Sequence, residues 1–151
     1  MKIAEALMQR AAMTTNLSEL RERMVKNVKV QEGDTPQEDV NALKETYFKI
    51  SEELTALVCK INKTNQLITN DDGISLADML AERGKYKMLV KANKDLYDNA
   101  MIVSRFGRSE IRLVCTIDVK ALQAEISEYS KKYREIDTEI QGLNWTKDLI
   151  E

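Results

Sequence analysis

Apolar side chains recur at Val119, Leu122, Ile126, Tyr129, Tyr133, Ile136, Ile140 and Leu143, alternating steps of three and four residues without a break. That rhythm keeps one greasy stripe along one side of an α-helix, and the stripe stays wet unless a second helix covers it. The spacing fits a coiled-coil seam and an ordinary bundle core equally well. Either way, the chain must fold chiefly as packed helices.

Three more helices read from the same pattern. Ile3, Ala6, Met13, Leu17, Leu20 and Met24 predict a first helix over about 2–29, with Arg10 interrupting the stripe. After Gly33, the run Asp34-Thr35-Pro36-Gln37-Glu38 predicts a start at Pro36, with Thr35 as the cap and Glu38 completing a capping box. Val40, Leu43, Tyr47, Ile50, Leu54, Leu57 and Ile61 then carry a second helix over about 36–66. At about 1.5 Å per residue it would reach roughly 46 Å, so an elongated molecule is expected. Ser75 and Asp78 open a third helix over about 76–97, and Thr116 or Asp118 caps the fourth, over about 118–143.

Two stretches break the helical rhythm. Asn70-Asp71-Asp72-Gly73 is a turn signature between Leu67 and Leu76, expected as a short hairpin or a tight loop. Met101-Ile102-Val103 and Ile111-Arg112-Leu113-Val114-Cys115-Thr116 favour strands, which predicts a β-hairpin over about 100–116 turning at Phe106-Gly107. The fold class expected is mainly α: one domain over 1–151, an elongated antiparallel four-helix bundle with coiled-coil-like helices and one or two short β-hairpins.

Composition narrows the chemistry. The 151 residues include no His, so Ser-His-Asp and Cys-His nucleophile pairs and His-centred metal sites are excluded. No spacing of carboxylates, Lys or Arg suggests a catalytic set, so no catalytic residue, metal or cofactor is assigned and an enzyme ranks last. Two cysteines are too few for a disulfide framework, and Cys59, among Leu57, Val58 and Ile61, is expected to pack in the core. Glu5 and Arg10 interrupt any apolar leader, and no apolar run is long enough to span a bilayer, so the expected location is the cytoplasm, away from membranes.

The formal net charge of −2 hides an uneven distribution. Residues 83–112 carry +5 while the flanking segments together carry −7. Arg105, Arg108 and Arg112 are the anion-binding candidates, since guanidinium forks on a hairpin tip can clamp a carboxylate or phosphate. An ion pair between Arg105 or Arg108 and the Glu32–Asp34 turn is the favoured alternative. The Lys residues of the segment are expected to be an exposed helix face paired with acidic neighbours from the other helices. A second candidate is a polar cluster of Asn62, Thr64, Asn65, Asn144 and Trp145, either capping helix ends or lining a small pocket roofed by Trp145.

A family resemblance rests on several of these pieces. Lys2-Ile3-Ala4-Glu5-Ala6-Leu7, Leu20-Arg21-Glu22-Arg23, Val30-Gln31-Glu32-Gly33-Asp34, Ile61-Asn62-Lys63-Thr64-Asn65, Asp72-Gly73, Arg108-Ser109-Glu110-Ile111, Thr116-Ile117-Asp118-Val119 and Leu143-Asn144-Trp145 are similar to motifs of the septicolysin-like family of small bacterial helical proteins. The chain departs from that pattern at Met101-Ile102-Val103. The resemblance implies a helical bacterial protein and supplies no activity. The function expected is therefore a structural or interaction module whose partner is a second copy of itself, as a dimer or higher oligomer. The alternative is an anion- or nucleic-acid-binding module using segment 83–112, with nucleic acid the less favoured partner.

Overall fold

A computed structural model describes residues 1–101, 111 and 113–150. The protein is mainly helical and built on four helices: α1 (Ile3–Asn27), α2 (Val40–Leu67), α3 (Leu76–Ala100) and α4 (Val119–Thr146). The chain divides into two compact units, one of Met1–Leu76 with Gly142–Glu151, the other of Ala77–Gln141.

In the first unit α1 packs on α2. Ala6, Leu57 and Ile61 form a buried cluster, and Leu7, Met13 and Leu149 close over it. Ile3, Leu20 and Leu43 extend the burial along both helices. The start of α1 is tied to the end of the chain. Lys2 reaches the Asp148 carboxylate at 3.1 Å, the Ile3 N–H donates to the Lys147 carbonyl at 3.1 Å, and the Leu149 N–H to the Met1 carbonyl at 2.8 Å.

α2 starts at Val40, not at Pro36, and its cap is Asp39, whose carboxylate accepts the Asn41 N–H at 2.9 Å. The expected box of Thr35 and Glu38 does not form because Glu38 is drawn away to Arg23. At the other end of α2, the Ile68 N–H returns to the Thr64 carbonyl. The turn signature that follows is the tight loop of the two alternatives. Thr69 and Ser75 make a single bridge, Asn70 accepts the Ile74 N–H on its side chain at 2.8 Å, and Gly73 takes φ +79°. Left-handed backbone of that kind suits a residue without Cβ.

In the second unit α3 and α4 run antiparallel. Arg83 meets Asp137 at 2.5 Å, Tyr86 lies against Tyr129 with ring centroids 6.0 Å apart, and Asn93 donates to Glu125 at 3.0 Å. Tyr97 accepts from Gln123 at 2.9 Å, so partners descend α4 as they ascend α3. Asp118, not Thr116, caps α4, its carboxylate accepting the Lys120 and Ala121 N–H groups at 2.9 and 3.1 Å.

The expected β-hairpins are not seen. Among the described residues there is no strand, only isolated bridges. Helix α3 continues to Ala100, with the Met101 N–H bonding the Tyr97 carbonyl at 3.1 Å, and this removes the start of the predicted hairpin. Most of its first strand, its turn and Arg112 lie outside the described residues. Ile111, Leu113 and Val114 are 90%, 73% and 73% exposed, so no apolar face holds them in a sheet. Cys59 is exposed rather than packed, because Leu57 and Ile61 turn one side of α2 inward and Cys59 sits on another. No helix among the described residues is long and apolar enough to cross a membrane.

Candidate functional site

Arg105, Arg108 and Arg112, the anion-binding candidates of the sequence, lie outside the described residues. Asp34 of the turn expected to pair with them lines the same cleft as Arg23. Arg23 on α1 grips Glu38 with both Nε, at 3.0 Å, and Nη2. Asn27 ties the same corner, accepting the Glu38 N–H at 3.2 Å and donating to the Arg23 carbonyl at 3.0 Å. The Arg23 hydrogen bond holds the Glu38 carboxyl below the usual carboxylate range. These residues line a polar cleft of about 830 Å³ at the α1–α2 connection together with Lys26, Lys29 and Asp34.

The polar cluster is brought together only in part. Thr64 is fully buried and Asn144 nearly so, whereas Asn62 is exposed and Asn65 half-buried. Trp145 is 59% exposed. Thr64 has a structural task. Its hydroxyl donates to the Lys60 carbonyl at 2.8 Å and accepts the Ile150 N–H at 3.0 Å, pinning the C-terminal segment to α2.

The remaining candidate is the paired surface of α3 and α4. Leu122 and Ile140 are buried, but Ile126, Tyr129, Tyr133 and Ile136, the middle of the seam, are only half-buried. Met88 and Leu96 on α3 are 68% and 52% exposed. Tyr86 is flanked by two cations, Lys85 at 4.5 Å and Lys132 at 5.7 Å from its ring centroid. Of the basic segment, Arg83 is bound to Asp137 of α4 and Lys85 to Glu82 of its own helix. Lys87 and Lys94 make no ion pair among the described residues; they line a groove with Arg134 of α4. Spacing along α3 alone gave no sign of that convergence, because the third cation comes from another helix. Among the described residues no group of three or more Cys, Asp or Glu side chains is placed to hold a metal ion.

A model of a protein family described as a family of unknown function (DUF6847) matches residues 10–149. The crystal structure of a functionally unknown conserved protein from Corynebacterium diphtheriae matches with a TM-score of 0.93 and 34% sequence identity, over 99% of each chain. A comparison with curated proteins gives no match.

Proposed function

Because the chain belongs to the DUF6847 family, a family of unknown function that lends it no activity, we propose from its geometry that it is a structural or interaction module. It self-associates, most simply as a dimer, through the long amphipathic helices of a bundle. The observation that carries this reading is the half-buried middle of the α4 seam, Ile126 to Ile136. Two antiparallel helices cover each other on one side only, so a seam made for burial on both flanks needs further helices. Closing a second copy over it would remove from water apolar area worth roughly 25 cal/mol per Å². A kinship with septicolysin-like proteins belongs to the same proposal and rests on the motifs alone.

Sedimentation equilibrium at micromolar concentration, in low and then high salt, tests the reading. The expected mass is a multiple of 17.3 kDa that salt does not change, since apolar burial is not screened. A clean monomer refutes self-association. Co-purifying nucleic acid that salt strips away would favour the binding-module alternative.

A further inference from the structure

In the α3–α4 unit, Lys87, Val90 and Lys94 line one side of a groove of about 260 Å³, and Ser130, Tyr133 and Arg134 line the other. Three cations and two hydroxyls surround it, and no carboxylate does. Lys87 and Lys94 stand two helical turns apart, which brings them to one side of α3. Arg134 joins them because α4 runs antiparallel.

Three like charges around one small groove repel one another, and the cost is relieved by a nearby anion. Six carboxylates of this unit are engaged elsewhere. Glu82 holds Lys85 at 3.2 Å, Glu128 holds Lys132 at 3.1 Å, Glu135 holds Lys131 at 3.8 Å and Asp137 holds Arg83. Glu125 accepts from Asn93, and Asp118 caps α4. Among the described residues, Lys87, Lys94 and Arg134 make no ion pair.

We propose that this groove binds the phosphoryl group of a small phosphorylated molecule. A phosphoryl group carries about −1.5 to −2 charge and three acceptor oxygens, a better match to three cations and two hydroxyls than a singly charged carboxylate. Arg134 supplies a fork for two oxygens, and the two lysines supply point charges. Val90 and the Tyr133 ring give the organic part an apolar wall. The volume lies just below the roughly 300–1,000 Å³ of drug-sized ligand pockets, so a compact metabolite fits and a polymer is not required. The groove shares Tyr133 with the seam proposed for self-association, but none of its three cations belongs to that seam.

Calorimetric titration of the full chain at constant ionic strength tests this, with inorganic phosphate, glycerol 3-phosphate and acetate as probes. Phosphate and glycerol 3-phosphate should bind saturably, and acetate should not. Arg134→Gln and Lys94→Gln should each weaken binding by about tenfold or more, Arg134→Lys less, and Lys120→Gln, away from the groove, not at all. Circular dichroism melts establish that each variant is folded. Absence of saturable phosphate binding overturns the proposal. So does undiminished binding in Arg134→Gln and Lys94→Gln, equal binding of acetate, or binding of a single-stranded oligonucleotide where both small phosphates fail. Sedimentation of the same samples with and without ligand reads self-association separately, so either proposal can fail alone.

Discussion

Arg23 and Glu38 face each other across the connection between α1 and α2, the guanidinium meeting the carboxylate at two points, with Nε 3.0 Å from Oε2. The pair sits where the chain leaves one helix and prepares to enter the next. Its hydrogen bond lowers the Glu38 carboxyl from its ordinary 4.5 and raises the Arg23 guanidinium. A carboxyl depressed in the folded state adds stability that is complete above its ordinary value and disappears as pH falls through the folded value. Glu38→Gln should therefore melt lower than the wild type at neutral pH, and the two curves should converge in acid. Both side chains are partly exposed, so added salt should narrow the gap at neutral pH as well. A difference that persists undiminished in acid would mean that Glu38 acts through packing and not through charge.

The same pairing changes where α2 begins. With Glu38 committed to Arg23, the first orphan N–H groups of the helix are served by Asp39, which accepts from Asn41. Asp39→Ala should cost about 0.5–2 kcal/mol in urea denaturation, the usual range for a lost N-cap. Thr35→Ala should cost little, since Thr35 lies outside the helix. Equal losses at the two positions would restore the earlier start at Pro36.

This corner shows where sequence reading succeeds and where it stops. The stripe from Val119 to Leu143 is legible because it repeats an intrinsic property of the helix, and α4 forms over that stretch. The start of α2 is not legible, because two capping signals four residues apart compete and a side chain on another helix decides between them. Strand propensity at Ile111, Leu113 and Val114 misleads for a related reason. Propensity for β structure expresses packing against a half-buried surface, and these side chains have none. The sequence groups Thr64 and Asn144 with Trp145 in one polar cluster, and only the fold separates the first two, which are buried, from Trp145, which is 59% exposed.

Thr64 offers a direct test of how the end of the chain is held. Its hydroxyl accepts the Ile150 N–H while its side chain is fully buried. Thr64→Val keeps the shape and removes the acceptor, leaving a backbone donor unsatisfied at a cost of about 1–3 kcal/mol. Thr64→Ser should recover part of the loss, because the hydroxyl returns without the methyl. Amide exchange at Ile150 gives the local readout and should accelerate in Thr64→Val. Wild-type stability and exchange in that variant would show that the bond holds nothing in place.

Ile136 separates the core of the α3–α4 unit from its proposed interface. Ile140 is 1% exposed, so Ile140→Asp buries a charge without a partner and should unfold the protein. Ile136, one turn earlier on the same seam, is only half-buried and can place a carboxylate toward water. Ile136→Asp should therefore keep a cooperative melt while shifting the sedimentation mass toward 17.3 kDa. Glu128→Ala is the control. Glu128 pairs with Lys132 at 3.1 Å on the exposed surface, and its loss should change neither mass nor melting. If Ile136→Asp sediments like the wild type and melts cooperatively, the seam is not where two copies meet, and self-association would have to use another surface, such as exposed Val25, Val28 and Phe48 of the first unit.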